Sequence, residues 1–97
     1  MPSSSYINLT LGDSGSTYTA PADGWVFLAK YTTVASEFIA INNMSGALLG
    51  MTAVASGAVI ELYVYIPVKQ SDIVRVNYNA SGATITFRFI YAEGSKP

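Results

Sequence analysis

Few side chains in this sequence could do chemistry: 97 residues carry six Asp or Glu and five Lys or Arg. There is no cysteine and no histidine, which excludes thiol catalysis, cysteine-ligated metals and the commonest general base. Acid–base catalysis would therefore need paired carboxylates, and a Ser–Lys dyad through Lys30 or Lys69 has no supporting motif. The carboxylates are scattered along the chain: Asp13, Asp23, Glu37, Glu61, Asp72 and Glu93.

Most of these carboxylates have a structural explanation. All three Asp residues stand in turn-like clusters, where a short side chain caps neighbouring backbone groups. Glu61 lies in a strand-like segment and could form a cross-strand ion pair with Arg75 or Arg88. No D-x-D-x-D-G calcium loop is present. We therefore predict a protein that is not an enzyme and that binds no metal and no cofactor.

The composition narrows the range of partners. Charged residues make up 11% of the chain, against about 25% in typical soluble domains, and the net charge is -1. Without a basic stripe we expect no nucleic-acid binding, and the apolar runs are far shorter than the ~20 residues of a membrane helix. The start, MPSSSYINL, is not a secretion signal. Because surface charge keeps monomers dispersed, its scarcity indicates self-association.

Turn-like clusters divide the chain into short segments of strand composition. β-branched and aromatic residues alternate with polar ones at period two, as in YINLTL and TITFRFIYA. This predicts a single all-β domain spanning 1–97, an antiparallel β-sandwich or barrel with frayed ends at 1–4 and 94–97. The predicted strands are 6–11, 25–32, 37–42, 48–54, 59–66, 73–79 and 84–92, with a short eighth at 17–20.

Two predicted strands are apolar on both faces. The run WVFL exposes Trp25 and Phe27 on the side opposite its aliphatic residues, and IELYVYIP, apart from its Glu61, does the same with Tyr63 and Tyr65. In an isolated antiparallel sandwich, one face of each strand packs on the core and the other is exposed to solvent. These four aromatics are therefore predicted to form an interface with other subunits. The alternative is that they are simply exposed or cover the edge of the sandwich.

Carbohydrate binding is a further possibility, because sugar rings stack on aromatic side chains and their hydroxyls bond to amides. The chain has seven Tyr and one Trp, together with Asn-containing turns. The alternative is that the aromatics fill the core and interfaces, as in most β domains. The candidate ligand contacts, expected in exposed loops, are Asn42, Asn43, Tyr78 and Asn79.

Three segments, YTAPADGWVFL, IPVKQSDIVRV and FRFIYAEG, together resemble a pattern in small trimeric β heads of bacteriophage fibres and related virion proteins. In that pattern an aromatic–x–Ala–Pro–x–Asp–Gly turn opens a strand, and a Pro–Val–Lys–x–Gly–Asp turn precedes the penultimate strand. The resemblance covers about residues 18–94. Ser71 stands where the pattern has Gly, and we expect a different turn there, since Gly would allow a positive φ without steric cost.

The resemblance implies a jelly-roll-like sandwich of seven or eight strands, similar to the heads of the tumour-necrosis-factor and complement-collagen class, that assembles as a homotrimer. It implies a virion-surface head made in the host cytoplasm, which contacts other virion proteins and attaches to a cell-surface glycan or protein receptor. Two other functions stay open: a purely structural virion component, such as a capsid decoration or fibre trimerisation tip, and a monomeric carbohydrate-binding module.

Overall fold

The computed structural model describes residues 2–45, 50–57 and 59–92, and these residues form eight β-strands and no helix. The described part therefore contains no helix that is long and apolar enough to cross a membrane. The strands are β1 Pro2–Asn8, β2 Thr17–Thr19, β3 Gly24–Tyr31, β4 Phe38–Asn43, β5 Gly50–Val54, β6 Glu61–Val68, β7 Ile73–Tyr78 and β8 Thr84–Ala92.

The strands make two four-stranded antiparallel sheets. Sheet I has the order β1-β8-β3-β6, and sheet II has the order β2-β7-β4-β5. Strand β6, at one edge of sheet I, also contacts β4 and β5 of sheet II, and the backbone N–H of Tyr65 donates to the Met51 sulfur at 3.3 Å. The all-β sandwich predicted from the alternating pattern is confirmed.

The core lies between the sheets and follows from the period-two pattern. Alternate residues of β3, β6 and β8 point inward and are almost fully buried, and their neighbours point to the outside of sheet I. The largest side chains that are fully buried come from both sheets, and burying each one stabilises the fold by about 1.5–3 kcal/mol: Phe89, Leu28, Ile39, Ile41, Val64, Val74 and Val76.

The strand ends differ in detail from the predicted ones. β1 begins at Pro2 rather than residue 6, so residues 2–4, which we expected to be frayed, belong to a strand that pairs with β8. Residues 94–97 and the first two residues of the predicted strand 48–54 lie outside the described residues. Leu9 and Leu11 leave the strand and pack against the core.

Two tyrosine hydroxyls hold the connection between β1 and β2. Tyr18 donates to the carbonyl of Thr10 at 2.7 Å and accepts from the amide of Gly12 at 2.8 Å. Tyr78 donates to the Gly12 carbonyl at 2.7 Å. The Tyr18 ring also packs edge-on against Phe87, with 4.9 Å between ring centroids. These contacts give both tyrosines a structural role.

The PADG and KQSD turns pack against each other at one end of the sandwich. Asp23 accepts from the Gln70 amide at 2.9 Å, and Asp72 accepts from the Lys69 amide at 2.9 Å. These contacts confirm that the two Asp side chains bind backbone groups of turns. The residue after Asp23 has to be glycine. A Cβ at Gly24 would overlap the carbonyl oxygen of Ile90, so only glycine lets β3 approach β8 this closely.

Ser71 has a φ of 75°, in the left-handed region that glycine favours. The expectation that Ser would force a different turn is therefore wrong. The Asp72 amide donates to the Lys69 carbonyl at 3.0 Å, which closes a four-residue turn with the positive φ at its third position, as type II turns require. The Ser71 amide also donates to the carbonyl of Ala20 at 2.8 Å, so the surrounding contacts hold the strained residue in place.

Candidate functional site

The outer side of sheet I carries a continuous cluster of large apolar side chains. We call this cluster the aromatic face. On β3, β6 and β8 its members alternate with core residues, so they point away from the core as the pleat requires, and Tyr6 of β1 pairs with Ile90 on the same side. The aromatic face consists of Tyr6 on β1, Trp25 and Phe27 on β3, Tyr63 and Tyr65 on β6, and Ile90 on β8.

The strand register explains why these residues meet. Phe27 lies opposite Tyr65 in the pairing of β3 with β6. Trp25 comes two residues before Phe27 on β3, so its side chain points to the same side of the sheet. The Trp25 and Tyr65 rings are 6.5 Å apart, and the Phe27 and Tyr63 rings are 6.4 Å apart. Sheet pairing thus brings together the four residues that the sequence predicted as an interface. That they contact another subunit stays a prediction.

The aromatic face remains substantially open in the isolated chain. Tyr63 is 58% exposed, Tyr65 49% and Tyr6 48%, whereas Trp25 and Phe27 are half-buried. Monomeric soluble proteins rarely leave a contiguous apolar patch of several hundred Å² open to water.

Arg88 is the cation at the centre of this surface. It lies between Asn8 of β1 and Phe27 of β3 in the strand register. Its guanidinium stacks on the Tyr6 ring, 4.0 Å from the centroid. The Nε atom is buried, and no hydrogen-bond partner for it is found among the described residues. The sequence analysis did not single out Arg88 as a site residue, although the alternation in TITFRFIYA places it on this side of its strand.

The outer side of sheet II has a different character. Its central residues alternate with buried aliphatic residues on β4 and β7, so their side chains point outward, and they are mostly small or polar. Exposed Arg75 stands there beside Asn42 and Thr17. The two outer faces of the sandwich thus differ, and the aromatic rings are concentrated on sheet I.

The four predicted ligand contacts do not form one site. Asn42 and Asn43 end β4, whereas Tyr78 and Asn79 lie beside the start of that strand, because Ile39 pairs with Tyr78. The expectation that all four are exposed loop residues is wrong: Asn43 is buried, Asn42 and Tyr78 are half-buried, and these three lie on strands. Of the four, Asn79 alone is exposed and outside a strand.

Three of these side chains already bind the protein itself. The Asn43 amide donates to Asp72 at 2.8 Å and its oxygen accepts from the Ser45 amide at 2.9 Å. Asn79 accepts from the Phe38 amide at 2.7 Å. Together with the Tyr78 hydroxyl bond, these contacts explain the residues structurally. That any of them also binds a ligand stays a prediction.

Glu37 has the most strongly perturbed carboxylate. Its oxygens accept from the Thr33 amide at 2.6 Å, the Ser81 hydroxyl at 2.9 Å and the Val34 amide at 3.2 Å. The Thr33 bond contributes most, and these bonds outweigh the opposing effect of burial, lowering the pKa of Glu37 from 4.5 to about 2. The carboxylate therefore ties the loop after β3 to the loop before β8.

Asp72 has a lowered pKa for a similar reason. The Lys69 amide is the main cause, followed by the side-chain amide of Asn43. Neither Asp72 nor Glu37 is part of a cluster: within the described residues no three acidic side chains come together as a metal site would require. Both carboxylates are best explained by the turns that they hold.

Glu61 cannot form the intrachain ion pair predicted for it. It lies on β6, whose partner within sheet I is β3, and its register partner is Tyr31. Arg75 belongs to sheet II, and β3 separates β6 from Arg88 on β8. The ammonium of the buried Lys30 donates to the Gly82 carbonyl at 2.6 Å and to the Thr84 hydroxyl at 3.4 Å.

Comparisons of the chain with family models, curated proteins and solved structures found no match. The aromatic face is therefore the main basis for proposing a function.

A small apolar cavity between Leu9, Pro21 and Phe89 has a volume of about 20 Å³. That is room for roughly one water molecule, whereas small-molecule sites occupy about 300–1,000 Å³. The aromatic face is thus a better candidate than this cavity for interaction with another molecule.

Proposed function

We propose that the chain is a head domain of a phage fibre or virion surface, which works as a homotrimer and attaches to a host cell-surface glycan or protein. The observation that carries the proposal is the aromatic face, exposed on one side of a chain with few charges. A surface of this kind favours association over solvation. The protein would be made in the host cytoplasm, contact other virion proteins and act by binding, without catalysis or a cofactor.

The strand pairing supports this proposal. Within the sheets β1 pairs with β8, β2 with β7, β3 with β6 and β4 with β5. A jelly roll of eight strands, in which one long hairpin is rolled up, would have a nested set of pairs of this kind. The pairing agrees with the topology that the three resembling segments imply.

Multivalency would supply the binding strength. Three copies on one rigid head present three identical sites, so weak binding at each site adds up without any new contact. The experiment is to titrate fluorescently labelled protein over a glycan array and a panel of bacterial strains. We expect saturable binding to a subset of surfaces, and we expect that binding to weaken when the assembly is diluted into monomers.

A purely structural virion component is the second candidate, and a specific observation favours it. Asn43, Tyr78 and Asn79 use their polar atoms inside the fold, which leaves fewer obvious ligand contacts. This candidate would be supported over a receptor-binding head if the assembled protein bound purified virions tightly but bound no glycan and no cell surface.

A monomeric carbohydrate-binding module is less well supported by the geometry. A platform for extended sugar chains needs coplanar rings, whereas Trp25 and Tyr65 are inclined at 59° and Phe27 and Tyr63 at 46°. Tilted rings interlock with other side chains more readily than with a flat ligand.

A further inference from the structure

The guanidinium of Arg88 has unused bonding capacity in the isolated chain. The ring of Tyr6 covers it at 4.0 Å, and the buried Nε has no acceptor among the described residues. The Arg88 side chain as a whole is half-buried, so part of the guanidinium stays open to a second molecule although its Nε is covered. An aromatic ring satisfies the positive charge in part but accepts no regular hydrogen bond from the Nε–H.

Glu61 lies on the same side of sheet I, on the edge strand β6 and beyond Tyr63. Along β6 it alternates with buried residues as Tyr63 and Tyr65 do, and it is exposed. The register places Arg88 level with Phe27 and therefore with Tyr65. Glu61 is thus two strands away and four residues further along, which corresponds to about 16 Å.

That separation rules out an ion pair within one chain, because side chains stand roughly perpendicular to a sheet. The aromatic face therefore has a cation on its β8 side and an anion at one end of its β6 side. The apolar surface between them contains Phe27 and Tyr63. A surface with this distribution of charge is complementary to a second copy of itself.

We propose that the aromatic face packs against a second copy of the chain, and that Arg88 of each copy forms an ion pair with Glu61 of its neighbour. The inference rests on the oligomer in the proposed function and names the surface that forms it. A twofold arrangement allows two reciprocal pairs, and a threefold ring allows one pair at each junction, because the β8 side of one copy meets the β6 side of the next.

The size of the surface reaches the lower limit for a specific contact between two chains. Four strands spaced about 4.8 Å apart, with eight residues at about 3.3 Å each, give a sheet face of roughly 500 Å². Two such faces together provide on the order of 1,000 Å², which is the area that a specific interface needs. Desolvation of the aromatic rings would also bring the ion pair into a less polar environment, where charged hydrogen bonds are strongest.

Charge exchange tests the proposal directly. Arg88→Glu and Glu61→Arg are made singly and together, and the assembly is measured by sedimentation equilibrium across a range of concentrations. We expect each single change to raise the dissociation constant by about tenfold or more, and we expect the double change to restore most of the lost affinity. If the double variant is as weak as the worse single variant, Arg88 and Glu61 do not pair.

Matched controls separate the ion pair from general effects of charge and folding. Arg75→Glu makes the same change on the outer face of sheet II and should leave association unchanged. Arg88→Lys keeps the charge but removes the planar guanidinium, and it should weaken association less than Arg88→Glu does. Circular dichroism and thermal melting of every variant establish that the sandwich is folded, so that a loss of association reports on the interface.

The two single variants mixed together reveal the symmetry. Two copies of the same variant bring like charges together at positions 88 and 61. A contact between one copy of each variant brings opposite charges together, so a twofold dimer should recover nearly full affinity on mixing. A threefold ring always retains at least one junction between like chains and should recover only in part. Recovery as a dimer would support this interface and contradict the trimer. A trimer insensitive to every change at Arg88 and Glu61 would support the proposed function and overturn this inference, and a wild-type monomer would overturn both.

Discussion

Replacing Ser71 with glycine should stabilise the fold. Ser71 has a φ of 75° at the third position of the turn between β6 and β7. An L-residue pays about 1–2 kcal/mol for that conformation, whereas glycine adopts it freely. Glycine also raises the entropy of the unfolded chain, which removes about 0.5–1 kcal/mol of the gain. The expected net effect of Ser71→Gly is a stabilisation of about 0.5–1 kcal/mol.

The assay is reversible urea denaturation at fixed protein concentration, with thermal melting as a second measurement. For a domain of this size, 1 kcal/mol corresponds to a rise in Tm of about 4–8 °C. Ser71→Ala is the matched control, because alanine keeps the Cβ and the backbone strain while it removes the hydroxyl. We expect that variant to unfold close to the wild-type midpoint.

Two results would refute this reasoning. If Ser71→Gly were less stable than the wild type, the Ser71 conformation would not carry the steric cost assigned to it. If Ser71→Ala were stabilised as much as the glycine variant, the effect would come from the hydroxyl and not from the backbone.

Three further predictions concern contacts that hold the sandwich together. Gly24→Ala should lower the free energy of unfolding by about 1–3 kcal/mol or prevent folding, since its Cβ would overlap the Ile90 carbonyl; urea denaturation measures this. Tyr18→Phe should cost about 1–2 kcal/mol by the same assay, because the amide of Gly12 loses its acceptor. The lowered pKa of Glu37 stabilises the fold fully above about pH 5, and this contribution disappears as the pH falls toward 2. Glu37→Gln should therefore flatten the acid side of the stability profile.

The strands and the core were predictable because their signal is local. Alternation of apolar and polar residues identifies a strand and its buried side, and glycine, proline and aspartate identify the turns between strands. The same alternation predicted that Trp25, Phe27, Tyr63 and Tyr65 lie outside the core. It could not show that sheet pairing makes them neighbours, because β3 and β6 are distant in the sequence.

Features that depend on strand order were not predictable from local patterns. Glu61 and Arg88 have opposite charges and suitable spacing along their strands, yet β3 lies between them. Asn43 belongs to a turn-like cluster, but its side chain points into the fold and binds Asp72 from a distant turn. At Ser71 the local preference for an ordinary φ is overridden by contacts with the Ala20 and Lys69 backbone.

The central claim is that the aromatic face brings copies of the chain together, and the molar mass in solution tests it most directly. Sedimentation equilibrium of the wild-type protein at micromolar concentration should give the mass of three chains, about 31 kDa, since one chain is 10.3 kDa. Changing Tyr63 and Tyr65 together to Ser should shift that mass toward one chain while the fold is retained. A wild-type mass of one chain at that concentration would contradict the claim.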